Sequence, residues 1–288
     1  MTRPSTIAFQ DGPEDVRPED EAIVGFLARA TPSQPRHSEG DIVALSNGRL
    51  LAVYSRYHAG EGWDGSPAHL VARTSDDGGR IWSAPRVVVE ARDRARGNVM
   101  SVSLLDGAGG DLLMAHVDQL PGMPERGMVV RRSADDGFTW GDPVVLEPPT
   151  PGHRFSANNA CLLRLGTGRI LLAAREYTDV RHPFAFLSDD DGRTWRAGGR
   201  MPDAPLTPEE RAQQNINEPS VCELADGRLL VTMRSVAGGQ FFSWSVDGGE
   251  SWGDPVLSPL RGGCSPCALR RRKAGRWRLP PRGPCGHR

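Results

Sequence analysis

The chain has 288 residues, including 34 Gly and 24 Pro, and hydrophobic residues make up 38% of it. This composition is typical of a turn-rich β protein, and no apolar run approaches the roughly 20 residues of a membrane-spanning helix, so we expect no membrane association. The formal net charge is -1, which argues against a general nucleic-acid-binding field. Acidic residues occupy the N-terminal stretch, where a signal peptide would be basic, and the sequence therefore predicts a cytoplasmic location.

One eight-residue phrase, Ser-x-Asp-x-Gly-x-x-Trp, organises the chain after an N-terminal arm that we assign to residues 1–35. The phrase begins at Ser75, Ser133, Ser188 and Ser245, and its copies start 58, 55 and 57 residues apart, which indicates a structural repeat. In each copy the Asp can accept hydrogen bonds from the amides of a tight turn, the Gly can take a positive φ, and the Trp can pack beneath. The phrase therefore predicts a turn between two strands rather than a catalytic loop.

A hairpin precedes each copy of the phrase. The hairpin segments are 45–56, 104–116, 162–175 and 222–234. Three of them contain an Asn-Gly, Thr-Gly or Asp-Gly turn between apolar strands. Hairpin and phrase together predict a four-stranded unit, and since such a unit cannot bury both faces alone, consecutive units should stack as propeller blades. The one predicted helix covers residues 207–214, where Thr207 and Glu210 can form a capping box.

The repeated phrase resembles the Asp box of the sialidase (neuraminidase) superfamily, and residues 36–267 resemble a bacterial BNR-repeat exo-sialidase. The phrases between the boxes, "RHSEGDIVALSNGRLLAVYSR", "NVMSVSLL" and "NEPSVCELADGRLLVTMR", carry the resemblance by their order as well as their wording. It implies an all-β, six-bladed β-propeller of the sialidase type, of which this chain carries about four blades and part of a fifth. It also implies an exo-α-sialidase-like glycoside hydrolase that acts on sialylated or other acidic glycans without a cofactor.

The charge of such a substrate decides which residue types the site needs. Sialic acid carries a carboxylate on its anomeric carbon, and Arg forks bind a carboxylate through two parallel hydrogen bonds. An Asp or Glu nucleophile would be repelled there, so sialidases attack with a Tyr that has a carboxylate as its base, while a separate acid protonates the leaving oxygen. The resemblance assigns Glu218 and Arg234 to the family's paired Glu and Arg, the alternative being a surface ion pair. It assigns the acid to Asp64, in the loop after the first hairpin, with Glu61 as the alternative.

Three further arginines are candidates for carboxylate binding. The family opens its first blade with an Arg two residues before a Pro, which is missing in that register here, and Arg36 lies two residues upstream on the same strand face. Arg56 follows the second strand, and Arg175, with Glu176, holds the comparable place in the third blade. We expect Arg36, Asp64, Glu218 and Arg234 to face one cavity at the end of the blades opposite the Asp boxes. Further polar residues expected at this site are His37, Glu39, Asp41, Asn98, Asn158 and Asn159.

The C-terminal segment departs from the repeat. Residues 268–288 contain no acidic residue, and seven Arg lie among residues 270–288. We interpret 268–288 as an aberrant basic tail of the kind that a shifted reading frame produces, the alternative being a basic tail for nucleic acid. Cys264 and Cys267 lack the second cysteine pair of a zinc site, so no metal is expected.

Part of the family's machinery would lie beyond the fourth blade. The resemblance places the third Arg and the nucleophilic Tyr in blades five and six, and none of Tyr54, Tyr57 and Tyr177 lies where it places a nucleophile. We therefore expect the chain as written to have no appreciable hydrolase activity. The alternatives are a non-catalytic propeller module that binds acidic glycans and a scaffold that binds a protein partner.

Overall fold

The computed structural model describes residues 26–91, 97–118, 127–178, 181–212, 216–261 and 265–270. The strands are β1 (Arg36–Ala44), β2 (Leu50–Tyr57), β3 (Ala68–Ser75), β4 (Arg86–Val89), β5 (Met100–Asp106), β6 (Leu112–Asp118), β7 (Gly127–Ser133), β8 (Val144–Val145), β9 (Arg154–Ser156), β10 (Leu162–Arg164), β11 (Ile170–Tyr177), β12 (Arg181–Ser188), β13 (Arg196–Ala197), β14 (Asn217–Glu223), β15 (Leu229–Arg234), β16 (Gly239–Ser245) and β17 (Val256–Arg261). A short helix, α1 (Pro208–Ala212), lies between β13 and β14. In the ranges that the structure describes, no helix is long and apolar enough to cross a bilayer.

The strands form antiparallel sheets, which we call blades 1 to 4. Blade 1 contains β1 to β4, blade 2 contains β5 to β8, and blade 4 contains β14 to β17, each in sequence order. Blade 3 contains β10 to β13, and β9 pairs with the end of β11 as an additional strand. The four-stranded units predicted from the repeat are therefore present, and within each unit the four strands pair in sequence order.

Consecutive blades pack through the glycine of the repeated phrase. In blades 2, 3 and 4 this glycine lies against a leucine on the second strand of the hairpin in the preceding blade. The pairs, with the distance from an added Cβ to the leucine side chain, are Gly137 and Leu51 (2.5 Å), Gly192 and Leu113 (2.8 Å), and Gly249 and Leu171 (2.9 Å). Apolar clusters follow the same order, since one joins blades 1 and 2 and a larger one joins blades 2 to 4. The repeated phrase thus brings the blades together in sequence order.

The Asp boxes share one hydrogen-bond pattern between the third and fourth strands of each blade. The Ser Oγ donates to the Asp Oδ1 at 2.8–2.9 Å and accepts the Gly N–H at 2.8–2.9 Å. The Asp Oδ1 also accepts the backbone N–H four residues later, at 2.7–3.0 Å. Because hydrogen bonds to a carboxylate favour its ionised form, those from Thr139 lower the pKa of Asp135 to about 2. The predicted turn is confirmed in all four copies.

The four tryptophans of the boxes are less uniformly buried than their shared position suggests. Trp252 is buried, whereas Trp82, Trp140 and Trp195 are half-buried. Each of these three rings lies 3.4–3.6 Å from the Cβ position of the glycine in its own box. They cover the turn at the edge of the core, and only Trp252 is enclosed within the cluster of blades 2 to 4.

Helix α1 lies within the predicted segment. The Thr207 N–H donates to Glu210 Oε2 at 2.9 Å, and the Glu210 N–H donates to Thr207 Oγ1 at 3.2 Å. This reciprocal pair is the predicted capping box. Residues 213–215, near the predicted end of the helix, lie outside the described ranges.

Residues 265–270 pack against blade 4. The Leu269 N–H donates to Ser220 Oγ at 3.0 Å, and the Leu269 side chain is buried in a small apolar cluster with side chains of blade 4. The predicted basic tail, 268–288, therefore begins in a segment that contacts the sheet. Residues 271–288 lie outside the described ranges.

Candidate active site

The strand register separates the two ends of each blade. In blade 1, Arg36 pairs with Tyr57 at one end of the strands, and the Asp box begins at Ser75 at the other end. In blade 4, Arg234 pairs with Asn217 at the corresponding end, and the Asp box again lies at the opposite end. We call the strand ends marked by Arg36 and Arg234 the mouth. Both arginines thus lie opposite the Asp boxes, as expected from the sequence.

Each blade has one non-glycine residue with left-handed backbone geometry in or beside its first strand near the mouth. These residues are Glu39 (φ 54°), Ser101 (φ 60°), Ala160 (φ 55°) and Glu218 (φ 49°). Register shifts accompany them in β1, β5 and β14. Such a backbone costs about 1–3 kcal/mol per residue, and a bulge of this kind re-aims a side chain. The same backbone feature therefore places two carboxylates, in blades 1 and 4, at equivalent positions of the mouth.

Arg36 contacts two carboxylates at once. Its Nη2 donates to Glu39 Oε1 at 3.0 Å, and its Nη1 donates to Asp64 Oδ1 at 2.5 Å and to the Gly62 carbonyl at 3.3 Å. Beneath it lies the fully buried Tyr57, whose ring centre is 4.9 Å from the guanidinium carbon. The Asp64 side chain is 72% exposed, whereas that of Glu39 is 24% exposed. Arg36 is thus held between a carboxylate on a strand and a more accessible one on a loop.

Glu218 and Arg234 form an ion pair across the first two strands of blade 4. Arg234 Nη1 lies 2.9 Å from Glu218 Oε2, and both side chains are largely enclosed. The Glu218 N–H donates to Asn217 Oδ1 at 2.9 Å, which satisfies a backbone donor at the bulge. The structure therefore brings these two predicted residues together, with the Glu218 carboxylate against one terminal nitrogen of the Arg234 guanidinium.

A second group of arginines surrounds Tyr177 at the mouth end of blade 3. Arg175 Nε donates to Tyr177 Oη at 3.0 Å. The guanidinium carbons of Arg154 and Arg181 lie 5.6 and 5.4 Å from the centre of the same ring. Burial lowers the pKa of Arg181, and the positive charges of Arg175 and Arg234 lower it further, while the Tyr177 phenol and Glu218 oppose the shift. Arg175 and Arg234 therefore both place positive charge near Arg181, so the arginine group of blade 3 lies within electrostatic range of Arg234.

Charges from blades 1, 3 and 4 meet at Glu39. Burial raises the pKa of Glu39 above its ordinary value, and Arg36 opposes that rise. The negative charges of Asp64 and Glu218 raise this pKa further, and Arg175 lowers it. Because Coulomb interactions weaken with distance, these influences show that the residues share one region of the mouth. This region, with alternating guanidinium and carboxylate groups, is the candidate site.

Arg56 is not part of this group. Successive side chains of a strand point to opposite faces, and Tyr57 packs beneath Arg36, so Arg56 lies on the other face of β2. There it pairs with His37 across the sheet. Burial is the main cause that lowers the pKa of His37, and the positive charge of Arg56 lowers it further. The alternation of β2 is thus the physical reason why the structure does not bring Arg56 to the mouth group.

Glu176 also lies apart from the mouth arginines. It follows Arg175 on β11 and therefore points to the opposite face, where it is fully buried. There it contacts Arg200 and, at 3.2 Å, His153 Nδ1. Glu176 therefore connects segments of the chain around blade 3 and does not contact the mouth arginines through these pairs.

Most of the other polar residues predicted for the pocket bind backbone groups. Asp41 Oδ2 accepts the Leu104 N–H at 3.0 Å, Asn98 Nδ2 donates to the Ser66 carbonyl at 2.5 Å, and Asn159 Nδ2 donates to the Gly40 carbonyl at 3.1 Å. Asn158 differs, since its Oδ1 accepts a hydrogen bond from Arg175 Nη1 at 2.6 Å. Asn158 is thus the member of this set that positions a mouth arginine.

Sequence reasoning missed Arg154 and Arg181. Both lie directly across the sheet from Tyr177, Arg181 on β12 and Arg154 on β9. The pairing with Arg181 could have been inferred, because Tyr177 and Arg181 flank a short hairpin connection. The pairing with Arg154 could not, since β9 is an additional strand that the repeat pattern does not contain.

The described part of the N-terminal arm lies beside Glu39. Residues 26–28 and the start of β1 line a cavity of about 370 Å³, together with Tyr54 on β2. Glu39 is one of its lining residues and also contacts Arg36. Glu39 therefore borders both the mouth and this cavity.

The donor set at the mouth does not resemble a metal centre. Among the residues that the structure describes, no three His, Cys, Asp or Glu side chains are grouped so as to hold a metal ion. Cys267 is a free thiol in the described part of the chain, and Cys264 lies outside it. The carboxylates at the mouth are instead in contact with guanidinium groups.

Comparison with known proteins identifies the family. Residues 48–277 match the family model of the BNR repeat-like domain. A sialidase of Micromonospora viridifaciens is 31% identical over 262 residues, which cover 81% of this chain and 37% of that protein. The chain thus spans little more than a third of the length of that relative. The matched family region begins after Arg36 and Glu39.

Solved structures show the same fold. A Hadza microbial sialidase superimposes with a TM-score of 0.71 at 17% identity, over 86% of this chain and 53% of that one. A protein of unknown function from Dyadobacter fermentans superimposes with a TM-score of 0.69 at 19% identity, over 87% of this chain and 76% of that one. The fold is therefore a β-propeller of the sialidase type. The chain belongs to the BNR repeat-like domain family within the sialidase superfamily.

Proposed function

We propose that this chain carries the acidic-sugar-binding part of an exo-α-sialidase-type glycoside hydrolase, which removes terminal sialic or related acidic sugars from glycoconjugates. The observation that carries the proposal is the pair of arginines at the mouth, Arg36 and Arg234, each in contact with a glutamate at an equivalent bulge. A sugar carboxylate needs rigid, forked donors, and a guanidinium held by a carboxylate offers them.

In this proposal Arg36 and Arg234 bind the carboxylate of the sugar, and Arg175 adds positive charge at the side of blade 3. Asp64 is the proton donor for the leaving oxygen. Its exposed loop position suits a group that must move towards the substrate, and it can do so once the sugar carboxylate takes its place on Arg36 Nη1. Glu218 keeps Arg234 oriented and is the carboxylate that the resemblance pairs with a nucleophilic Tyr.

A propeller module that binds acidic glycans without cleaving them is the second candidate. None of the three tyrosines of this chain has the neighbouring carboxylate that a nucleophilic tyrosine needs among the contacts described next. This favours binding without cleavage. Tyr57 is fully buried, Tyr177 Oη accepts a hydrogen bond from Arg175, and Tyr54 Oη accepts one from Arg73 at 3.1 Å. We therefore expect this chain to bind sialic acid without appreciable turnover.

Calorimetric titration with sialic acid, combined with an assay on a fluorogenic sialoside, tests the proposal. Arg234→Ala should weaken binding by roughly 10- to 100-fold, because a hydrogen bond to a charged group contributes about 1.5–3 kcal/mol. Arg228→Ala, at the Asp-box end of the same strand pair, is the matched control and should bind as the wild type does. Equal binding by wild type and Arg234→Ala would remove the proposal. Turnover by the chain as written would remove the second candidate and require one of its tyrosines or carboxylates as the nucleophile.

A further inference from the structure

We propose that Glu39 takes up a proton when an acidic sugar binds and is thereby the positioning residue that releases Arg36 to the sugar carboxylate. The inference rests on the proposed function, because it takes the ligand to be a carboxylate bound at Arg36. It concerns a residue that lies outside the matched family region and that the resemblance did not assign to a role.

Arg36 has no terminal nitrogen without an acceptor in the protein. Both of its terminal nitrogens already have protein acceptors, Nη1 on Asp64 and Nη2 on Glu39. A carboxylate that binds side by side to both nitrogens must displace these acceptors or share them. Asp64 can leave readily, because its side chain is 72% exposed on a loop. Glu39 cannot leave as easily, because it is enclosed on β1.

The backbone explains why Glu39 stays in place. Glu39 has φ 54° at the register shift between Ser38 and Asp41. A Cβ on the next residue, Gly40, would lie 2.6 Å from the Tyr54 Cβ and 2.7 Å from the Val53 carbonyl oxygen. The strand is therefore pressed against β2 at this point, and a large backbone movement of Glu39 would break that packing.

Charged groups from three blades surround Glu39. The charged groups that face it are Arg36 on its own strand, Asp64 on the loop after β2, Arg175 on blade 3 and Glu218 on blade 4, with the phenol of Tyr57 beneath. A sugar carboxylate at Arg36 adds a further negative charge next to an ionised Glu39. Like charges at such separations favour protonation of one partner, and burial already raises the pKa of Glu39.

Binding of the sugar carboxylate is coupled to the protonation of Glu39. As the sugar carboxylate binds, ionised Glu39 takes a proton from the acid form of the buffer, which becomes its conjugate base, and Glu39 becomes the neutral carboxylic acid. At the site the negative charge of the sugar thereby replaces that of Glu39. The contact from Arg36 Nη2 to Glu39 then loses its ionic component, and the Nη2 donor becomes available to the sugar. The cavity of about 370 Å³ that Glu39 borders gives the proton a place to enter from.

Two measurements on the complete 288-residue chain test this inference. Side-chain carbon NMR of labelled glutamates follows the titration of Glu39 with and without sialic acid, with the resonance assigned by its absence in Glu39→Gln or by correlation to the backbone. Calorimetry in buffers of different ionisation enthalpy measures the protons taken up when sialic acid binds. Asp64→Asn tests the other carboxylate on Arg36, and Glu223→Gln, on the same strand as Glu218 but at its Asp-box end, is the control.

We expect Glu39 to titrate above the ordinary Glu value of 4.5 and its midpoint to rise further with sialic acid bound. Between the free and the bound midpoints the affinity of the wild type should fall with rising pH by up to about tenfold per pH unit, because one proton is taken up on binding in that range. Glu39→Gln should bind without proton uptake and without this pH dependence, whereas Glu223→Gln should retain both. Asp64→Asn should also retain both, with the titration of Glu39 moved to lower pH, because the charge of Asp64 raises the pKa of Glu39.

Two results would overturn the inference while leaving the proposed function standing. One is binding of sialic acid with unchanged proton uptake in Glu39→Gln, and the other is a Glu39 that titrates at or below the ordinary value in the free protein. If proton uptake on sialic acid binding is lost in Asp64→Asn but kept in Glu39→Gln, the proton binds to Asp64 and not to Glu39. Absence of any sialic acid binding would remove the proposed function and the inference together.

Discussion

The two ends of the blades differ in how the repeat is used. At the Asp-box end, four copies of one phrase form four turns with nearly the same hydrogen bonds. At the mouth, four copies of one backbone feature, a left-handed residue in or beside the first strand, carry different side chains. These are glutamate in blades 1 and 4, serine in blade 2 and alanine in blade 3. The backbone repeats at both ends, whereas the side chains repeat only at the end that holds the blades together.

The difference follows from what each end has to do. Every Asp box must close the same kind of turn, and in blades 2 to 4 its glycine must also fit against the preceding blade, so its residue types are constrained in every copy. A ligand at the mouth meets each blade from a different side, so each blade must offer a different group. Variants at the Asp-box end should therefore change stability, and variants at the mouth should change binding.

A large loss of stability is expected for Gly249→Ala. The new Cβ would lie 2.9 Å from the Leu171 side chain, and the residue would also keep a positive φ of 91°. Overpacking costs about 1–3 kcal/mol, and the left-handed backbone adds about 1–2 kcal/mol. Gly227→Ala is the matched control, because its φ is 84° but nothing lies within 4 Å of the new Cβ. Urea unfolding should show a clearly greater loss for Gly249→Ala, and equal losses would contradict the role of this glycine in blade packing.

A smaller, pH-dependent effect is expected at Asp135. Its pKa in the folded protein is about 2, below the ordinary value of 3.8 that applies to the unfolded chain. Its contribution to stability is therefore fully present above the unfolded value and is lost as the pH falls towards the folded one. Asp135→Asn should be less stable than the wild type at neutral pH and approach it under acid, as followed by urea unfolding at several pH values. A difference that stays constant with pH would contradict the assignment.

The smallest effect is expected for Ile81→Thr. In the other three boxes a Thr or Ser hydroxyl four residues after the Asp donates to the Asp Oδ2, whereas the first box has the exposed Ile81 at that position. A threonine there should add one hydrogen bond to a carboxylate, for a gain of about 0.5–1.5 kcal/mol. Ile81→Val, which has nearly the same shape as threonine but no hydroxyl, is the control. A gain of the same size in both variants would show that the hydroxyl is not responsible.

The sequence predicted the Asp-box end better than the mouth. The four turns, the order of the strands and the capping box of α1 depend on local hydrogen bonds that adjacent residues determine. The mouth depends on contacts between strands far apart in the chain. Glu39 could be predicted only as one of several polar residues, because a left-handed glutamate has no sequence signature of its own. The separation of Arg56 from the mouth group has a simpler cause, since its strand face follows from alternation once the end of β2 is known.

We expect binding of an acidic sugar at the mouth, at the end of the blades opposite the Asp boxes. Backbone amide NMR of the chain during titration with sialic acid tests it directly, because it reports on both ends in one experiment. We predict chemical-shift changes around Arg36–Gly40 and around Asn217–Ser220, and none at the box glycines Gly79, Gly137, Gly192 and Gly249. Shift changes confined to the Asp-box turns, or no change at either end, would contradict binding of the sugar at the mouth.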